Sequence, residues 1–219
     1  MTTETQQHFL NKLLLNNNIK NILDIGANVG TFSNLCKSIV QDSTIYMIEA
    51  NPQCEQFLKN IGNKYYIAAL SDENKEVTFY ININNPVCTG ASYYKENGLA
   101  YIGANEIKLK TFLLDELLSD EDIAFDFIKV DVQGSELDVI RGGKKIISEA
   151  SFVLCECPYT EIDSTLEYNS GGCNFKQIVD EMKKCGFLKY EIVEELRVQS
   201  TCSNWQTGTL VAIDVLFYK

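Results

Sequence analysis

Residues 22–32, Ile-Leu-Asp-Ile-Gly-Ala-Asn-Val-Gly-Thr-Phe, carry an apolar strand onto an acid, through a two-glycine turn and into an amphipathic helix. A chain that makes this passage in so few residues is committed to an α/β sheet whose carboxyl edge presents backbone N–H groups to a ligand. The spacing narrows the ligand. A pyrophosphate calls for the denser G-x-G-x-x-G turn, whose third glycine allows close approach of the backbone. Here Asp24, Gly26 and Gly30 give D-x-G-x-x-x-G, with Asn28 and Val29 where that turn would be tighter. A ligand without phosphates, bringing an ammonium to Asp24 and a small carboxylate, fits better. S-adenosylmethionine (SAM) is such a ligand.

The rest of the chain repeats the strand–helix alternation. Thr3-Glu4-Thr5-Gln6 resembles a capping box, followed at helical spacing by Phe9, Leu10, Leu13 and Leu14. Strands are expected over residues 20–25, 44–48 and 64–70, with a helix over 31–40. Asn51 is placed to cap a helix that has Pro52 at its first position. The run 77–83 alternates as an additional strand, and 84–104, rich in Asn, Gly and Tyr, reads as loop. Ile107, Leu109 and Thr111 alternate again, before a short helix at 113–118. Residues 125–131 form a strand ending on Asp131, and the helix after it carries Leu137, Val139 and Ile140 and stops at Gly142-Gly143. The apolar strand 152–155 leads to Glu156, Asn174 caps a helix terminated by Gly186, and strands 187–193 and 209–218 pair antiparallel. The pattern predicts one α/β domain over residues 1–219, with 1–19 as an N-terminal helical extension and a mostly parallel sheet covered by helices on both faces.

Net charge is −11, from 19 basic and 30 acidic residues. Nucleic-acid binders neutralise phosphates with Lys and Arg, so this balance argues against a nucleic-acid partner. The N-terminus lacks the basic flank and apolar run of a signal peptide, and no apolar run approaches the roughly 20 residues of a membrane span. A cytoplasmic protein with no membrane partner is expected, its eight cysteines reduced. Cys155 and Cys157 are one residue apart rather than at zinc-knuckle spacing, and on a strand they share a face, as core cysteines do.

Four pieces in order, L-D-I-G-A-N-V-G-T-F-S, I-E-A-N-P, A-L-S-D and D-F-I-K-V-D-V-Q-G-S-E-L-D-V-I-R-G-G, run from Leu23 to Gly143. Together they resemble the FkbM family of SAM-dependent methyltransferases, with the likeness continuing to about Glu156. The resemblance implies a Rossmann-like class I methyltransferase fold with a seven-stranded sheet. It also implies methylation of a hydroxyl on a sugar, glycan or polyketide-like small molecule. One departure is Gln133, where family members commonly carry Glu.

In this frame Gly26, Ala27, Asn28, Gly30 and Thr31 form the turn around the methionine end of the cofactor. Asp24 either meets its ammonium or orients the loop. Glu49, about 20 residues beyond the turn, is placed to accept from both ribose hydroxyls, with Ala50 and Asn51 beside it. Ala69, Leu70 and Ser71 flank the adenine by position. Asp131 is the candidate catalytic residue: a hydroxyl is a poor nucleophile, and a carboxylate near the sulfonium methyl takes its proton. Asp131 and Glu156, at adjacent strand ends, could instead hold Mg²⁺ and acidify a bound hydroxyl, and a purely structural role for Asp131 is a third reading. Glu136, in the first turn of its helix, has an ordinary helix-dipole role, and His8 lies far from every motif. Tyr93, Tyr94, Tyr101, Tyr159, Tyr168 and Trp205 fall in predicted loops where rings stack on a cyclic substrate, and 157–173 is the candidate lid. Three rivals remain. They are a nicotinamide-dependent oxidoreductase, a non-catalytic SAM-binding module, and a methyltransferase acting on protein or nucleic acid.

Overall fold

A computed structural model describes residues 4–95, 103–159, 172–198 and 209–219. The chain begins with α1 (Glu4–Asn16), followed by β1 (Asn21–Ile25), α2 (Thr31–Ile39), β2 (Thr44–Glu49), α3 (Glu55–Ile61) and β3 (Lys64–Ile67). Next come β4 (Ala69–Leu70), β5 (Glu76–Ile81), β6 (Asn105–Phe112), α4 (Leu114–Leu117) and β7 (Phe127–Val130). It closes with α5 (Glu136–Gly142), α6 (Lys144–Glu149), β8 (Phe152–Pro158), α7 (Phe175–Lys184), β9 (Lys189–Val198) and β10 (Thr209–Tyr218).

Seven strands make one sheet in the order β3-β2-β1-β7-β8-β10-β9. The first five are parallel, and β10 runs antiparallel to both β8 and β9. The chain winds outward from β1 to β3, then returns across β1 to β7 and winds the other way. The strand order therefore reverses between β1 and β7, where open α/β sheets place their ligands.

Period-two alternation assigns each strand residue to one of two apolar layers. Ile22, Ile45, Met47, Phe127, Leu154 and Leu216 face one layer, closed by Leu10, Leu13 and Leu14 of α1 and by Phe32 and Cys36 of α2. The segment expected as an extension thus supplies part of the core. Leu23, Ile25, Ile128, Val130, Val153 and Cys155 face the other layer, under α4 to α7. Asn174 caps α7 with the full reciprocal capping box, its side chain accepting from Gln177 N and Gln177 returning the bond. The box expected at Thr3 lies outside the described residues.

Two expectations need correction. The run 64–70 is not one strand: β3 ends at Ile67, Ala68 N turns to Glu49 O, and Ala69–Leu70 joins a separate three-stranded sheet ordered β4-β6-β5. Gly142-Gly143 ends its helix as expected, α5 stopping at Gly142 with Gly143 as its C-cap, and a separate helix, α6, starts directly after it. A Cβ on Gly142 would lie 2.1 Å from Ser71 O and one on Gly143 2.5 Å from a Leu114 methyl, so this pair serves close packing. Finally, β8 continues to Pro158, which puts Glu156 inside the strand rather than beyond it. Antiparallel β10 extends β8 by pairing as far as Pro158, opposite Ala212, a partner no local pattern reveals.

Candidate active site

A cavity of about 390 Å³ opens at the β1/β7 reversal, along the carboxyl edge of the sheet. One side is built from the first turn. Gly26 has φ +79°, and a Cβ there would lie 1.7 Å from Asp131 O, so this position admits only glycine. Gly26 N and Ala27 N both donate to Ile48 O, holding the turn against β2. Asn28 adopts left-handed φ +50°, as Asn tolerates, and its Nδ2 donates to Val87 O and Cys88 O of the loop after β5. Asn51 Nδ2 donates to Pro86 O of the same loop, while Asn51 Oδ1 accepts from Gln53 N as the expected cap.

Glu49 closes this half. Its two oxygens accept from Asn28 N and Asn51 N, each at 2.7 Å. Burial raises its pKa, and those two amide bonds work in the opposite sense. Glu49 lines the cavity together with Ala27, Thr31, Ala50, Ala68, Ala69, Leu70 and Phe79.

The second side is a band of acids. Asp131 follows β7, its N bonded to Ile25 O, and Glu156 occupies the next position outward on β8. Asp214 of β10 pairs directly with Glu156, and Glu194 of β9 pairs with Asp214. All four line the cavity. Gln133, at left-handed φ +56°, donates from Nε2 to Asp131 Oδ1 (2.7 Å) and Glu156 Oε2 (2.6 Å). Asp131 Oδ2 lies 3.0 Å from Lys129 Nζ. Burial alone would raise Asp131, but the Lys129 charge and the bonds from Lys129, Gln133 and Glu156 bring it below the usual carboxylate range. Glu156 is driven well above that range by burial and then by the charges of Asp131, Glu136 and Asp214. The two acids are thus driven in opposite directions, Asp131 toward the ionised form and Glu156 toward the protonated one.

Several expected site residues lie behind the cavity wall rather than on it. Asp24 is fully buried under the turn, where Ser33 Oγ donates to its Oδ2 at 2.6 Å and Lys129 Nζ stands 3.7 Å from its Oδ1. Its carboxylate is not among the groups that line the cleft. Gly30 supplies the left-handed N-cap of α2, and Ser71 N bonds to Phe112 O. Glu136 is fully buried and accepts from Val132 N and Gly134 N, bracing the loop that carries Gln133. Burial pushes Glu136 up to about 7, against the opposing pull of the backbone bonds.

Tyr93 lines the cleft, and its hydroxyl joins that of Tyr94 on Asp138 Oδ2, each at 2.9 Å. Tyr159 packs on Phe175 instead. Tyr101, Tyr168, Trp205 and most of the 157–173 segment lie outside the described residues. Cys155 and Cys157 are buried thiols in one apolar layer, as their spacing predicts. His8 is exposed on α1.

The Mg²⁺ alternative does not fit these residues. A hydrogen-bond donor, the Gln133 amide, sits between the two carboxyl groups, and Lys129 already supplies the compensating charge. Among the described residues no group of three His, Cys, Asp or Glu side chains is arranged to ligate a metal.

The Methyltransferase FkbM domain family matches residues 24–189, a span that contains the glycine turn, Glu49, Asp131 and Glu156. The chain belongs to the FkbM methyltransferase family. It is therefore a SAM-dependent methyltransferase. The 2-O-methyltransferase NoeI of Sinorhizobium fredii (strain NBRC 101917 / NGR234) is 26% identical to this methyltransferase over 174 residues, 73% of this chain and 69% of NoeI. Among solved structures, an O-methyltransferase from Bacillus cereus in complex with SAH aligns with TM-score 0.52 at 12% identity, covering 100% of this chain and 83% of that one. The N-terminal domain of EvdMO1 with SAH bound aligns with TM-score 0.51 at 10% identity, covering 99% and 82%. At such identities these two likenesses establish the fold. No described helix of the methyltransferase is long and apolar enough to cross a membrane.

Sequence reading missed Lys129, Phe32, Phe79, Glu194 and Asp214 as cavity residues. Lys129 did leave a signal: a lysine amid Phe127, Ile128 and Val130 in a strand walled by parallel neighbours. Such a charge survives burial only with a partner. Asp214 and Glu194 left none, because they reach the site through antiparallel pairing.

Proposed function

We propose that this methyltransferase transfers a methyl group from SAM to a hydroxyl of a sugar, glycan or related small molecule, with Asp131 accepting the hydroxyl proton. The observation that carries the reading is the position of Asp131. Its carboxylate borders the same cavity as the Gly26–Thr31 turn and Glu49, at the reversal point between the two halves of the sheet. SAM supplies a methyl group made electrophilic by its sulfonium.

The residues then do the following. The Gly26–Asn28 turn, Thr31, Glu49 and the 69–70 strand hold the donor along the β1–β2 side, with Glu49 accepting from the ribose hydroxyls. The acid band receives the acceptor's hydroxyls as hydrogen-bond donors. Most of the rate enhancement is positional, from holding oxygen and methyl carbon in line at about 3 Å. As the O–C bond forms, the hydroxyl proton becomes strongly acidic, so even a carboxylate of lowered basicity such as Asp131 suffices to take it. The net charge of −11 and the acidic cleft favour a small neutral acceptor over a nucleic acid. The relative NoeI is a 2-O-methyltransferase, which supports oxygen as the acceptor atom.

Asp131→Asn tests the reading. Turnover on a responsive saccharide is expected to fall about 10²- to 10⁴-fold, while S-adenosylhomocysteine affinity by calorimetry stays within a few-fold of wild type. Unaltered turnover removes Asp131 from the chemistry. A wide panel of saccharides and other hydroxylated small molecules that gains no methyl group by mass spectrometry, beside an RNA or protein that does, overturns the acceptor class.

A further inference from the structure

Lys129 is a buried cation shared unequally between two acids, Asp24 and Asp131. It lies in β7 between β1 and β8, 8% exposed, and is the only basic side chain among the described residues that line the cavity. Phe32 covers it, with Nζ 5.3 Å from the ring centroid. A lysine whose only task was to neutralise Asp24 would sit close to it. Instead Nζ stands 3.7 Å from Asp24 Oδ1, which has no hydrogen-bond partner among the described residues, and 3.0 Å from Asp131 Oδ2. The ammonium is thus drawn toward the cleft, at the expense of the buried acid behind it.

That choice has a consequence for the carboxyl pair. Asp131 and Glu156 share the Gln133 amide symmetrically, at 2.7 and 2.6 Å. Gln133 cannot decide which of them carries the pair's proton. Their other surroundings are not symmetric: Asp131 has Lys129, whereas Glu156 has Asp214 directly opposite it, with Glu194 opposite Asp214. We propose that Lys129 is a positioning residue for methyl transfer, holding Asp131 as the ionised, proton-accepting member of the pair and leaving Glu156 as the protonated one. The inference rests on the reading of Asp131 as the proton acceptor.

The other groups around the lysine agree with this assignment. Asp24 faces it from β1 and Glu49 from β2, and Cys36 faces it from α2 as a thiol kept neutral by burial. Burial opposes the ammonium, but Asp131 and Asp24 raise its pKa above the ordinary lysine value, so it is charged throughout the working range. Glu136 from α5 and Asp214 from β10 act on the pair from the far side, and both favour a proton on Glu156. In the transfer step a lone pair of the acceptor oxygen forms the O–C bond, the C–S electron pair returns to sulfur, and the hydroxyl proton passes to Asp131. Had that proton-accepting site already been filled, the step would stall.

The test is the pH dependence of kcat under saturating SAM. Wild type is expected to keep its activity down to below the usual aspartate pKa of about 4, because its acid limb reports Asp131 beside a cation. Lys129→Met moves the limb up by at least about one pH unit, with S-adenosylhomocysteine affinity within about three-fold. Lys129→Arg restores the limb. Should Lys129→Met fold poorly because Asp24 is left buried and unpaired, the double variant Asp24→Asn/Lys129→Met relieves that charge and is expected to show the same shift. An unmoved limb in either folded variant overturns the inference, as does a wild-type limb at or above the ordinary aspartate value. A lysine that only supports the fold would lower the melting temperature without moving the limb. Asp131→Asn separates the two ideas: if it turns over at the wild-type rate the proton-acceptor reading fails, and if it is inactive while the Lys129 variants keep the wild-type limb, only the lysine assignment fails.

Discussion

The two halves of the cleft solve the burial of negative charge differently. On the β1–β2 side, Glu49 is satisfied by backbone N–H groups of Asn28 and Asn51, both within about 20 residues of it in the chain. On the β7–β8–β10 side, Asp131, Glu156 and Asp214 face one another from separate strands, and their charges are settled by side chains, Lys129 and Gln133. Amides fixed by the turn cannot titrate or reorient, so the first half is a rigid seat suited to one unvarying ligand. Side-chain donors set protonation states, and the second half is therefore where proton chemistry belongs.

The harshest way to break this division is Gly26→Ala, because that glycine joins the halves. Its φ of +79° and the 1.7 Å approach of a Cβ to Asp131 O force the turn away from β7. Loss of about 3 kcal/mol of stability in urea titration is expected, together with loss of measurable S-adenosylhomocysteine binding by calorimetry. Native-like binding would show that the two halves are not braced through this contact.

A pH measurement probes the second half next. Glu136 titrates at about 7 in the folded protein, above its unfolded value of 4.5. The folded state then holds a proton that the unfolded state releases, so this group's contribution to stability is fully present below 4.5 and is lost as pH rises to about 7. The loss amounts to on the order of 3 kcal/mol. Glu136→Gln, which mimics the protonated form, is expected to flatten that part of the stability profile in urea titrations from pH 4.5 to 7.5. A variant that keeps the wild-type slope would assign it elsewhere.

The mildest change sharpens the first half. Glu49→Gln keeps one acceptor oxygen but turns an NH₂ toward an amide that Glu49 now receives. The KM for SAM is expected to rise about tenfold with kcat within about three-fold in steady-state assays. A matching fall in kcat would mean that the seat also shapes the transition state.

Much of the first half was legible in the chain because its contacts are local. Asp24, Gly26, Gly30 and Glu49 belong to one strand–turn–helix–strand unit, and glycine spacing reports backbone geometry directly. Even there the sequence left Asp24 open between meeting the cofactor ammonium and orienting the loop, and did not reveal its partners, Ser33 and Lys129. Distance along the chain explains the difference: Ser33 is nine residues away, Lys129 more than a hundred. The break of the 64–70 run into two sheets was equally hidden, since only β6, forty residues later, draws Ala69 and Leu70 aside.

By itself the sequence determined the alternation of strands and helices, the left-handed glycine turn and the acids that close β1, β2 and β7, because these follow from residue-by-residue sterics and periodicity. Tertiary structure alone decided that Glu156, Asp214 and Glu194 stand side by side and that one buried lysine leans toward Asp131. Antiparallel register and ion pairing depend on where distant strands meet, and free energy at that scale comes from the assembled sheet rather than from any one segment of chain.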